Sequence, residues 1–182
     1  MKIALFLPTL LLIVSTCCVA QTPLPSSATV LKQALSQAKK ENKQVLLLFH
    51  ASWCGWCRKM EASINDPECK KLFTDHYVIT YLDVLENKGK ENLENPGAMD
   101  LLQKYKGEKA GLPFWVILDD KGKLLADSQI RPAGAGLDVP GENTGCPSQS
   151  NEVGFFTGVL KSTSTLTGPE LSVIEKRFLK NQ

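Results

Sequence analysis

The residues best suited to chemistry are Cys54 and Cys57, set three positions apart in Trp53-Cys54-Gly55-Trp56-Cys57, shortly after an apolar run from Val45 to Phe49. A cysteine in the first turn of a helix lies near unpaired backbone N–H groups and the positive end of the helix dipole. Both stabilise thiolate over thiol, and the thiolate is the nucleophile. A second thiol one turn on is placed to attack the mixed disulfide that the first one forms. The chemistry this spacing supports is thiol–disulfide exchange. A purely structural bridge is a poor alternative, because the loop it closes is tiny and little entropy is removed from the unfolded chain. A zinc site drawing on Cys54, Cys57, Cys69 and Cys146 lacks a second close pair of ligands. A second feature, Gly111-Leu112-Pro113, stands directly before another apolar run, Phe114 to Leu118.

The elements that must position these residues are legible from periodicity. Ser26 or Ser27 caps a helix with Leu31, Ala34, Leu35 and Ala38 at helical spacing, ended by the polar stretch Lys39 to Gln44. Val45 to Phe49 is short and continuously apolar, as in a strand covered on both faces. A helix starts near Cys54 and carries Met60 and Ile64. Asn65-Asp66-Pro67 breaks it, and Glu68 to Phe73 resumes a short helix. Tyr77 to Val84 reads as a strand, Leu85 to Asn95 as a polar loop whose charged part, Lys88 to Glu94, is solvated, and Pro96 to Tyr105 as a helix. Phe114 to Leu118 and Lys123 to Ala126 form a hairpin across Asp119-Asp120-Lys121-Gly122. Residues 127–151 are rich in Gly, Pro and Asn and lack periodicity, so they form either a functional loop or a mobile excursion. Glu152 to Leu160 is helical, and Thr167 with Glu170 has capping-box spacing ahead of a last helix bearing Leu171, Ile174 and Phe178. The order of elements predicts an α/β sandwich.

Of the 182 residues, 43% are hydrophobic and 22% charged, which suits one globular domain. The net charge is +2, from 21 basic and 19 acidic residues. Such a balance offers no electrostatic case for nucleic acid or for an anionic membrane surface. Met1-Lys2, the apolar stretch Ile3 to Val14 and Cys18-Val19-Ala20 read as a secretory signal peptide over 1–20, followed by a linker over 21–27 and a domain over 28–182. The apolar stretch is shorter than the roughly 20 residues that span a bilayer. Lipoprotein-type anchoring at Cys17 or Cys18 is a second route, to which Val14-Ser15-Thr16 is a poor fit. The expected location is therefore periplasmic or secreted. Of 6 cysteines, Cys54, Cys57, Cys69 and Cys146 lie beyond the leader. In an oxidising compartment Cys69 and Cys146 could form a second disulfide pinning 127–151, or could be unrelated thiols.

Phe49-His50-Ala51-Ser52-Trp53-Cys54-Gly55-Trp56-Cys57-Arg58-Lys59-Met60-Glu61, together with Gly111-Leu112-Pro113-Phe114-Trp115-Val116, resembles the thioredoxin superfamily. Within it, the likeness is to exported proteins similar to the C-terminal domain of the periplasmic thiol:disulfide interchange transporter, and it extends from about Ala28 to Ala126. The resemblance implies a thioredoxin-like three-layer α/β/α sandwich with a mixed central sheet, here with a long loop before the C-terminal helices. It implies that Cys54 is the exposed nucleophile and Cys57 the more buried resolving thiol, and that Pro113 follows a cis peptide bond. The Leu112 backbone would pair with an extended substrate segment. Trp53, Gly55, Trp56, Leu112 and Pro113 would line the substrate groove.

The sequence departs from thioredoxin at two points. Leu48 occupies the strand position of the acid that helps deprotonate the resolving thiol, leaving Glu61 and His50 as candidate acid–base groups. His50 is more readily a strand residue packed under the first helix, with a pH-responsive group as the residual reading. Trp56 replaces a proline between the cysteines, where side chains shift a redox poise spanning roughly −270 to −120 mV. Trp115 is expected in the core and Phe114 on the groove wall. The implied activity is protein-disulfide oxidoreduction, read in the reducing direction. Its partners are protein thiols or disulfides and a membrane electron donor, and it needs neither organic cofactor nor metal. Dithiol oxidation, disulfide isomerisation, peroxide reduction and a non-catalytic partner-binding module remain alternatives.

Overall fold

The computed structural model describes residues 24–182. The signal peptide over 1–20 and the first part of the 21–27 linker lie outside the described residues. Helix α1 spans Ser27–Glu41, so the end of that linker belongs to the fold. Ser26 caps the helix by accepting the Thr29 N–H at 3.2 Å, and Asn42, at φ 54, ends it in the left-handed region that Asn tolerates.

Strand β1, Gln44–His50, is buried at every interior position and occupies the middle of the sheet. Helices α2 (Gly55–Ile64) and α3 (Lys70–His76) cross over to β2, Tyr77–Asp83, which pairs with β1 in parallel. Helix α4 (Ala98–Lys104) then leads to β3, Phe114–Leu118, and β4, Leu124–Asp127. β3 runs antiparallel to both β1 and β4, giving the order β2-β1-β3-β4 and a mixed sheet.

Strand alternation divides the core into two layers. Val45, Leu47 and Phe49, with Phe114, Val116 and Leu118, face Ala34 and Ala38 of α1 and Leu102 of α4. Leu46, Leu48, Trp115 and Ile117 face Met60, Phe73, Phe156 and Phe178, from α2, α3 and the two C-terminal helices. Those helices are α5 (Ser150–Thr163) and α6 (Gly168–Leu179), so the sheet is covered on both sides as a three-layer sandwich. Both begin at capping boxes, Gln149 with Glu152 and Thr167 with Glu170. Phe114 is a correction to the expected groove wall. It is fully buried against Phe49, because its place in β3 turns it toward α1 and α4.

Residues 127–151 hold secondary structure of their own. β5 (Gln129–Ile130) and β6 (Glu142–Asn143) pair antiparallel. The segment is tied down by polar contacts: Arg131 makes two hydrogen bonds to the buried Asp127 carboxylate, at 2.7 and 2.6 Å, and also donates to Val139 O.

Candidate functional site

The β1–α2 connection presents the dithiol motif. Cys54 and Cys57 are joined as a disulfide. Cys54 is also the N-cap of α2, its Sγ accepting the Cys57 N–H at 3.0 Å. A helix N-terminus leaves donors of this kind without intrahelical partners, and here one of them points at the sulfur.

Both cysteines are nearly closed off, Cys54 at 3% and Cys57 at 6% exposure, which corrects the expectation of an exposed Cys54 beside a buried partner. The cause is packing: the pair forms a small cluster with Ala51, against which Leu112 is laid. What stands in solvent instead is the indole on each flank of Cys54, Trp53 at 49% and Trp56 at 46%. Lys59 places its ammonium 4.2 Å from the Trp56 ring centroid.

The loop after β2 supports the motif from outside. Trp53 Nε1 donates to Leu85 O at 2.8 Å, with Leu85 itself in the left-handed region at φ 58. Glu86 accepts both the backbone N–H and the hydroxyl of Ser52. Burial raises the Glu86 pKa, but the hydrogen bonds from Ser52, together with the Lys90 charge and the Asn87 N–H, hold it below the usual carboxylate range. These contacts were not legible in the sequence, where 85–95 reads only as a charged loop.

Leu112 and Pro113, joined by a cis peptide bond, reach the motif from the loop before β3, whose Phe114 pairs with Phe49 at the end of β1. A groove of about 240 Å³ adjoins them, lined by Trp56, Leu112, Pro113, Asn143, Gly145 and Glu152 among others. The structure thus brings Trp53, Cys54, Gly55, Trp56, Cys57, Leu112 and Pro113 to one end of the molecule.

The two acid–base candidates sit elsewhere on this side of the sheet. His50 Nε2 lies 3.2 Å from Asp83, and its ring packs on Tyr81. Burial raises the Asp83 pKa, with His50 lowering it in part. Glu61 is exposed on α2; Tyr81 is pushed up to about 12, first by burial and then by the Glu61 charge. Among the described residues neither His50 nor Glu61 hydrogen-bonds a cysteine, and the Leu48 position is plain core.

Cys69 and Cys146 are free and buried, so the second disulfide is not formed. Each is instead packed into the core between the sheet and the C-terminal helices. Burial pushes the Cys69 thiol up to about 11 and that of Cys146 up to about 12. Cys146 Sγ accepts a hydrogen bond from Asn181 Nδ2 at 3.4 Å. Among the described residues, no three His, Cys, Asp or Glu side chains gather as a metal-binding group.

A family model described as a thioredoxin-like domain matches residues 31–132. Among solved structures, the chain is similar to a disulphide isomerase from Xylella fastidiosa Temecula1, at 27% identity over 59% of this chain and 80% of that one, with a TM-score of 0.47. It is also similar to the oxidised C-terminal domain of DsbD from Neisseria meningitidis, at 24% identity over 57% of this chain and 84% of that one, TM-score 0.42. An oxidoreductase named DsbH gives 24% identity over 84% of this chain and 95% of that one, TM-score 0.44. No curated protein matches the chain at a significant level.

Proposed function

The chain belongs to the thioredoxin-like family, and from that membership we propose that it is an exported protein thiol–disulfide oxidoreductase working in the reducing direction. The observation that carries this reading is the Cys54–Cys57 pair at the N-terminus of α2, packed beside Leu112 and flanked by two exposed indoles. Export rests on Met1-Lys2 and the apolar stretch Ile3 to Val14, ahead of a fold whose first helix starts at Ser27.

In the reduced protein, the Cys54 thiolate attacks one sulfur of a substrate disulfide. A Cys54–substrate bond forms, the substrate S–S bond breaks, and the first substrate sulfur leaves as a thiolate that takes up a proton. The α2 N-terminus and the Cys57 N–H favour the attacking thiolate. Cys57, deprotonated in turn, attacks Cys54 Sγ and expels the second substrate sulfur. The substrate gains two electrons and two protons, and the protein is left with the Cys54–Cys57 disulfide. Its return to the dithiol needs an external thiol donor, for an exported protein a membrane-borne one.

Titration of the mature protein against glutathione or dithiothreitol tests the direction. A potential close to about −270 mV supports a reductase, whereas one close to about −120 mV makes it an oxidase. The chemistry is tested by Cys54→Ser, which is expected to abolish insulin reduction. Full activity in that variant would remove Cys54 from the mechanism.

A further inference from the structure

Asn143 is the last residue of β6, outside the 31–132 family match, yet its side chain reaches the segment that faces the cysteines. Its Nδ2 lies within hydrogen-bond distance of Ala110 O at 3.0 Å, Gly111 O at 3.2 Å and Pro113 O at 3.2 Å, its two hydrogens shared among the three. Its Oδ1 accepts the Gly145 N–H at 3.2 Å. One amide therefore gathers three carbonyls around Leu112 and leaves that of Leu112 itself out of the clamp. The following turn is fixed as firmly: Trp115 Nε1 donates to Gly145 O at 3.0 Å, and the Thr144 N–H donates to Ser128 O at 2.8 Å. Leu112 itself packs on the two cysteines.

We propose that Asn143 is a positioning residue for the oxidoreductase: by holding the carbonyls on both sides of Leu112 it keeps that residue's backbone open to the extended substrate segment expected beside the cysteines. This rests on the oxidoreductase reading. A chain that brings its sulfur to Cys54 past Leu112 can pair with that backbone as another strand would. A small disulfide has no such flanking chain and makes no use of it.

The test compares second-order rates at which pre-reduced protein is oxidised by insulin and by 2-hydroxyethyl disulfide. In Asn143→Ala the insulin-to-small-disulfide ratio is expected to fall about tenfold, the scale of one or two lost hydrogen bonds, with the reduction potential unmoved. Asn143→Asp, isosteric but without N–H donors, falls at least as far, and Asn143→Gln recovers part of the loss. Equal losses on both substrates, or an unchanged ratio, overturn the inference. If wild type reduces neither substrate, the oxidoreductase reading itself falls and the positioning role with it.

A second measurement does not depend on Asn143 variants folding. Cys57→Ser protein is joined through Cys54 to a cysteine peptide supplied as its 2-thiopyridyl disulfide, which releases 2-thiopyridone. Amide exchange at Leu112 is then expected to slow relative to a 2-mercaptoethanol adduct. Identical exchange in the two adducts would sink the assignment.

Discussion

Cys54, the proposed nucleophile, is also the cap of its own helix, and the two roles separate by substitution. A serine hydroxyl is a good N-cap acceptor and alanine is not, with a difference of about 1 kcal/mol. Under reducing conditions, urea unfolding should find Cys54→Ala about 1 kcal/mol less stable than Cys54→Ser, although neither variant exchanges disulfides. Equal stabilities would mean that a side-chain acceptor for the Cys57 N–H at this position contributes nothing. The two core thiols carry a different signature. Folded Cys69 and Cys146 hold their protons up to about 11 and 12, against an ordinary value of 9.0. Below pH 9 that contribution to stability is complete, and it is lost as pH rises through the folded values, since the unfolded state sheds protons first. The stability advantage of wild type over a Cys69→Ala/Cys146→Ala variant should therefore shrink between about pH 9 and 11; a constant difference would contradict the burial. The dithiol was legible because its chemistry lies in local spacing. The closure of Cys54 was not, because it depends on Leu112, which the fold brings in from the loop before β3.

Elements whose pattern is local came out of the sequence nearly whole. The unbroken apolar runs at 45–49 and 114–118 are the two strands buried on both faces, and Thr167 with Glu170 marks the start of α6. The 127–151 excursion had no such pattern, since its strands are two residues each and its order comes from side chains bonding backbone. The ion pair between Asp127 and Arg131 illustrates this: the two side chains are 0% and 7% exposed. Removing one member of a buried pair strands the other charge, at a cost of about 3 kcal/mol or more. Arg131→Met should thus lower unfolding stability by about 3 kcal/mol, read by urea denaturation. Because β5 and β6 carry Asn143, it should also speed proteolysis within 131–143. A loss under 1 kcal/mol would place the hold on the excursion elsewhere, in Gln129 and Asn143.

At the scale of the molecule, the C-terminal helices complete the layer that seats the Cys54–Cys57 pair's helix. Phe156 of α5 is fully buried, with ring centroids 5.2 Å from Trp115, 6.2 Å from Phe73 and 4.9 Å from Phe178. It joins β3, α3 and α6 through one side chain, and β3 begins directly after Pro113. The same cluster includes Leu48 and Met60, which seat α2 on the sheet. A cavity at this point is shared by every element that carries the site. Truncating a buried phenylalanine costs about 3–5 kcal/mol, a large part of a total margin of about 5–15 kcal/mol. For Phe156→Ala the expected result is a melting temperature lower by about 10 °C, with loss of helical signal and of Trp115 burial in one transition. The transitions would separate if the 150–179 helices were an appendage to an independently stable core. In that case circular dichroism would fall before tryptophan fluorescence changed, and the Cys54–Cys57 potential would be the same in variant and wild type. The continuous packing from Phe178 through Phe156 to Trp115 predicts a single cooperative loss instead.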